Sequence, residues 1–252
     1  KRNGPAADTI IGDWIRSHRY AGSKDKRAVR EHVYAAIRAF GDMPPNGRSA
    51  MIGLLGRDCE LFDGSTYGPA PIGSGEMGAD RSLLPEWLGS LIPLDDHAAL
   101  LSRAPMDLRV NRLKASRADV LDEFPTAGPV AHLPDAVRLV ANERIEDRPI
   151  WLDGKVEVQD AGSQWVVAAC RAMPGQTVVD LCAGAGGKTL ALGSLMGGQG
   201  RLIACDTNRE RLQRMAPRAL RAGMTDIESR LLNPGREMEQ LADLAGQADL
   251  VL

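Results

Sequence analysis

The stretch Val178-Val-Asp-Leu-Cys-Ala-Gly-Ala-Gly-Gly-Lys-Thr189 constrains this chain more than any other. A short apolar run ends in closely spaced glycines and continues into a helix-forming sequence. Glycine has no Cβ, so the backbone there can turn through positive φ and lie close to a ligand. The helix that follows presents N–H groups with no partner of their own. The same alternation repeats to the end of the chain. Strands are expected at 177–181, 201–205, 227–232 and 248–252, and helices at 163–172, 188–195, 209–221 and about 237–244. Strands alternating with helices build a doubly wound parallel sheet. Its strand order here should be 3-2-1-4, counted within this region.

The residues upstream follow other periods. Ile10, Ile11, Trp14 and Ile15 fall at helical spacing behind Asp8 or Thr9, either of which can cap. Val29, Val33, Tyr34 and Ile37 repeat the pattern over 24–40, until Gly41 and Pro44-Pro45 stop it. A third helix is expected over 48–61. The Gly- and Pro-rich residues 67–81 read as a loop or linker, and 83–101 as short helical pieces broken by Pro85 and Pro93. Beyond 104 the pattern changes. A strand is expected at 108–113, a helix at 118–124, a strand at 136–140, and a hairpin of two β-like runs around Asp153-Gly154. The expectation is a multidomain chain: an all-α domain over 1–103, a small α+β domain over 104–160, and an α/β domain over 161–252.

Composition excludes some classes. Of 252 residues, 44% are apolar and 25% charged, but apolar stretches are short, so no membrane span is expected. The given sequence does not open on a basic-then-apolar stretch, so no signal peptide is expected there. Four cysteines without a CxxC pair make neither a disulfide framework nor a zinc site, so no metal is expected and a reducing, cytoplasmic setting is. The first residue is Lys1 rather than Met, so the natural N-terminus is expected upstream. The net charge of −2 is segmented: nine basic against four acidic residues over 1–38, and six arginines against Asp206 and Glu210 over 201–221. Separated basic segments suit a polyanion, and they equally suit solvated helix faces.

Three ligand classes use a glycine loop between strand and helix. A phosphate-binding Walker loop needs glycine where Cys182 stands, despite Gly187-Lys188-Thr189. A dinucleotide loop needs glycine at Thr189. The S-adenosylmethionine loop of Rossmann-like methyltransferases, Asp/Glu-x-Gly-x-Gly-x-Gly, fits Asp180 to Gly186 with Cys182 as the one substitution. Asp206 lies 22 residues after Gly184 at the end of the next strand, where a carboxylate can accept from ribose hydroxyls. It could equally cap the following helix. Lys188 is either a solvated first-turn lysine or a contact for the cofactor carboxylate. Cys182 is read as a small packed residue facing the site.

Cys182-Ala-Gly-Ala-Gly-Gly-Lys188-Thr resembles the motif of the Sun (Fmu) family of RNA cytosine-5 methyltransferases. Arg109-Val-Asn111-Arg-Leu-Lys114 resembles that family's Arg-x-Asn-x-x-Lys element. The stretch from Asp153 to Gln164 is similar to the segment before its methyltransferase domain. The helical N-terminus is similar, more weakly, to the antiterminator-like RNA-binding domain of the bacterial 16S ribosomal RNA members. The resemblance implies S-adenosylmethionine as cofactor, held by Cys182, Ala183, Gly184, Ala185, Gly186, Gly187 and Lys188 around its methionine part. It further implies Asp206 on the ribose, Arg211 nearby and Asn233 near the adenine. Ala185 stands where the family commonly has proline. Arg109, Asn111 and Lys114 would face RNA phosphates, although an exposed edge strand accounts for them equally well.

The family's mechanism uses a cysteine thiolate on carbon 6 of cytosine, followed by methylation and deprotonation at carbon 5. The motifs that carry those cysteines are expected beyond Leu252. Cys59, Cys170, Cys182 and Cys205 stand in other contexts, so no catalytic residue is assigned and the sheet is expected to be truncated in its fourth strand. The fragment alone is expected to be inactive. The reading is an RNA (cytosine-5)-methyltransferase acting on 16S ribosomal RNA. The alternatives are a non-catalytic RNA-binding module and a P-loop nucleotide hydrolase.

Overall fold

The computed structural model describes residues 4–66, 68–102, 104–140 and 143–252. Tyr67, at the start of the expected loop, and Arg103, at the expected boundary, lie outside the described residues. The chain forms two compact units, 1–103 and 104–252.

The first unit is helical: α1 (Ala7–Ser17), α2 (Ser23–Ala39), α3 (Gly47–Leu55), α4 (Glu86–Gly89) and α5 (Leu94–Leu101). Asn46 caps α3 by accepting from Ser49 N at 2.8 Å. The helix expected over 48–61 stops at Leu55 because Gly56 takes positive φ (84°) and returns its N–H to Ile52 O. The residues read as a loop or linker are folded back onto α3. Arg48 grips Glu76 with two bonds of 2.6 and 2.8 Å, and Ala79 N donates to Ser49 O. That grip and the Gly73 N–H hold the Glu76 carboxyl well below its usual range, at about 2.

The second unit opens with β1 (Met106–Val110), α6 (Arg117–Glu123), β2 (Gly128–Pro129), β3 (Ala136–Leu139), α7 (Pro149–Leu152) and β4 (Val156–Val158). The strands form an antiparallel sheet in the order β2-β3-β1-β4. The hairpin expected around Asp153-Gly154 is absent. Pro149 at the first helical position turns 149–152 into α7, and β4 pairs with β1 instead. Leu108, Val110, Val137 and Val156 face a core shared with Val120, Phe124 and Ile150. The opposite face is polar and equally buried: Asp107, Arg109 and Glu157 are 3, 5 and 2% exposed. Arg138 and the Ala161 N–H satisfy Asp107, and Arg218 and Arg221 satisfy Glu157.

Next come α8 (Ala161–Cys170), β5 (Thr177–Asp180), α9 (Gly187–Leu195), β6 (Arg201–Asp206), α10 (Arg209–Ala222), β7 (Ile227–Leu231), α11 (Glu237–Gln240) and β8 (Leu250–Val251). The strands are parallel in the order β7-β6-β5-β8, as the sequence predicts. Val178 and Leu202 pack on Val167 of α8, Ala191 and Leu192 of α9, and Met196 just after it. Val179, Ile203 and Cys205 point to the other face, against Leu232 and Leu244. Both faces are covered, so the strands read as apolar runs rather than alternating ones.

Candidate functional site

The glycine loop is docked on two strands at once. Asp180 ends β5 buried; its carboxylate accepts from Thr189 Oγ1 at 2.7 Å and from Cys182 N at 3.3 Å. Burial pushes its pKa up from the ordinary value. From β6, Cys205 O accepts from Ala183 N at 2.9 Å and Asp206 Oδ2 from Gly184 N at 2.8 Å. Two positions require glycine. Gly184 has φ 55° and would place a Cβ 3.0 Å from Arg211 Nη2. Gly186 has φ 85° and would place one 2.4 Å from Met215 Cγ. Gly186 in this left-handed conformation sets the direction of α9, whose first N–H groups open beside the loop.

A polar cleft of about 450 Å³ lies over this loop. Its base is Cys182, Ala183, Gly184, Ala185, Gly187 and Lys188. One wall is Val158, Gln159, Asp160 and Ser163, where β4 runs into α8. The other is Arg211 and Arg218 of α10. Seven of the ten residues expected at the cofactor therefore line one cleft. Gly186 stands behind it. Asp206, 6% exposed, stands behind Gly184, with Arg211 Nη1 4.0 Å from its Oδ2. Asp206 does not cap α10. Asn208 does, accepting from Arg211 N at 3.0 Å, while Asp206 Oδ1 takes the Asn208 N–H. Asn233 does not line the cleft; it is exposed beyond β7.

Of the three residues expected to face RNA phosphates, Arg109 and Asn111 are turned inward, and for these two the expectation is corrected, while Lys114 is exposed with its Nζ held on backbone carbonyls. Arg109 donates through Nε to Gln159 Oε1 at 2.7 Å. Burial pulls its pKa down to about 10. Asn111, 1% exposed, donates through Nδ2 to Gly154 O at 2.9 Å and Ala222 O at 2.8 Å. Lys114 Nζ donates to Asp153 O and Arg221 O at 2.9 and 2.7 Å. Asn111 and Lys114 thus satisfy the last carbonyls of α10, where a cation also meets the negative end of the helix dipole. The strand is not an exposed edge: β1 lies between β3 and β4, and its polar face is covered.

Gln159, Asp160, Ser163 and Arg218 are cleft residues that the sequence reading did not assign to the site. Arg218 Nη1 donates to Ala185 O at 2.7 Å and Nη2 to Glu157 Oε2 at 2.8 Å, so one side chain ties the loop to the antiparallel sheet. The available signal was spacing: Arg218 lies seven residues after Arg211, on the same helical face. Among the cysteines, burial pushes Cys205 up to about 11, whereas Cys182 is exposed. Among the described residues no group of three or more His, Cys, Asp or Glu could hold a metal ion.

Comparison with known proteins places this geometry. The profile of the 16S rRNA methyltransferase RsmB/F family matches residues 167–248. That segment, about a third of the chain, is similar to the RsmB/F methyltransferases. A probable ribosomal RNA small subunit methyltransferase B of Synechocystis is 35% identical over 167 residues, covering 60% of this chain and 37% of the relative. The 25S rRNA (cytosine-C(5))-methyltransferase NSUN5 of Arabidopsis thaliana is 32% identical, covering 49% of this chain and 22% of that protein. The chain thus spans well under half the length of these relatives. A crystal structure of a methyltransferase homolog protein from Pyrococcus horikoshii matches with TM-score 0.53 and 26% identity, covering 57% of this chain and 49% of that one. The matched segment carries the whole glycine loop, Asp206 and α10. The remaining cleft wall, Val158 to Ser163, comes from residues just before it.

Proposed function

We propose that the cleft at the carboxyl ends of β5 and β6 binds S-adenosylmethionine, and that the chain belongs to an enzyme forming 5-methylcytosine in 16S ribosomal RNA. One observation carries the reading: the 182–188 loop is tied to both strands and leaves an open polar cleft at the first turn of α9. Ligands of wound sheets bind at such strand ends. The residues fit the cofactor. The loop would cradle its methionine moiety, with Gly184 leaving room for Arg211 and Gly186 leaving room for Met215 behind it. Each Asp206 oxygen has one lone pair left after its protein bond, enough for the two ribose hydroxyls. Arg211 lies over Gly184 beside it, and Asn233, beyond the next strand, is assigned to the adenine. When bound, the cofactor supplies a methyl group on a sulfonium, an electrophile. The chain's own role is to hold and orient that group. Ribosomal RNA as substrate is supported by the names of the relatives, and exposed Arg209 and Arg214 on α10 suit a polyanion. The same reading divides the chain into a helical domain over 1–103, an α+β domain over 104–160 and a Rossmann-like domain over 161–252. The four free cysteines support a reducing, cytoplasmic setting.

The test is calorimetric titration of the 252-residue chain with S-adenosylhomocysteine, and separately with ATP. Binding of the first and not the second is expected. Gly186→Ala should weaken that binding by about tenfold or more, because its φ is 85° and its Cβ would meet Met215. ATP binding without S-adenosylhomocysteine binding would replace this reading with a P-loop one.

A further inference from the structure

Gln159 is 8% exposed, yet only one end of its side-chain amide is used inside the protein. Arg109 donates to Oε1 at 2.7 Å, and a guanidinium has no acceptor to offer. The amide oxygen must therefore face Arg109, and Nε2 must face away. Nε2 has no acceptor among the described residues. It lies 3.8 Å from the position a Cβ would take at Gly187, in the first turn of α9, on the wall of the cleft. The N–H groups at the start of α9 and the Lys188 side chain stand at the same corner, so three kinds of donor converge there. Asp160 lines the same cleft, its Oδ1 taken by Ser163 N at 2.8 Å.

Arg109 is an unfavourable residue to bury. Among the described residues its Nη2 has no partner, and Glu157, beside it on β4, is taken up by Arg218 and Arg221. A buried cation so incompletely paired is a poor stabiliser, and apolar replacements at such places are often neutral or better. Its one hydrogen bond orients an amide.

We infer that this corner is the subsite for the α-carboxylate of the ligand's amino-acid end: Gln159 Nε2 donates to that carboxylate, and Arg109 is a positioning residue that holds the amide in this orientation. The inference rests on the S-adenosylmethionine reading. The nucleoside portion of that ligand carries no anion, so donors gathered at one corner select the amino-acid end. Asp160 supplies the opposite charge for the neighbouring α-ammonium.

The test compares S-adenosylhomocysteine with 5′-methylthioadenosine, which keeps the nucleoside and sulfur and lacks the amino-acid end. Both are titrated into the full chain, with thermal melts as a folding control. Gln159→Glu keeps an acceptor for Arg109 and puts a carboxylate oxygen where Nε2 was. It should weaken S-adenosylhomocysteine by about tenfold or more and leave methylthioadenosine within about twofold. Arg109→Met frees the amide to turn and should show the same selective loss, to a smaller degree. Equal loss of both ligands in folded variants would mean a purely structural pair and overturn the inference. So would unchanged affinity for both. If the wild-type chain binds neither compound, the cofactor reading itself fails and takes this subsite with it. If it binds both and the variants do not discriminate, the subsite alone fails.

Discussion

At the scale of single residues, the loop depends on what is missing from it. Gly184 and Gly186 hold positive φ against Arg211 and Met215, and the sequence pattern alone marked both as glycines a ligand loop needs. Asp206 was legible as a carboxylate at a strand end, but its bond to the Gly184 N–H was not, because that contact joins residues 22 apart in the chain. Cys182 and Cys205 contrast in a way that chemistry can read. A maleimide at neutral pH should modify Cys182 in the folded chain and spare Cys205, which is buried and pushed up to about 11. Peptide mass mapping after a short pulse checks this. Saturating S-adenosylhomocysteine should slow Cys182, and equal labelling of Cys182 with and without it would count against the cleft as the ligand site.

Elements met their sequence expectations where period and packing agree, and departed where a local signal competed with a distant one. The parallel strands are covered on both faces and read directly as apolar runs. The Asp153-Gly154 turn was read as a hairpin because Asp-Gly is a hairpin signal. Gly154 does take positive φ, but its job is close approach: a Cβ there would lie 1.9 Å from Arg221 O. No local pattern announces a helix end arriving from some seventy residues downstream. Longer separations, of 111 and 107 residues, hid the role of Asn111 and Lys114, whose polar side chains just after a strand resemble a phosphate-binding edge. Their observed task gives a clear expectation. Asn111→Ala leaves the Gly154 and Ala222 carbonyls without their donor and should cost about 2–4 kcal/mol in urea denaturation, with a lowered midpoint. Loss within experimental error would mean these carbonyls find other partners.

Across the whole molecule, the two units carry acidic groups of opposite sign in their response to pH. In the first unit Glu76 is depressed to about 2 by Arg48 and the Gly73 N–H. Its contribution is present above the unfolded value near 4.5 and is lost as pH falls through the folded one. In the second unit Asp180 is raised by burial, so its folded state binds a proton more readily than the unfolded chain. Stability there rises as pH falls through the raised value toward the unfolded one. Hydrogen exchange at pH 7, 4 and 3, corrected for intrinsic rates, should show Gly73 losing protection while the Thr189 turn of α9 keeps its own. Protection lost in parallel at both would contradict this assignment.

Asn111 reaches Ala222 across 111 residues, and that span orders events during synthesis. A ribosome releases β1 to β4 well before α10 exists. Throughout that interval Glu157 meets water instead of Arg218 and Arg221. A hydrophobic side chain there would be a sticky nascent surface. A charged one waits in solution, and it closes on its partners only once residue 222 has emerged.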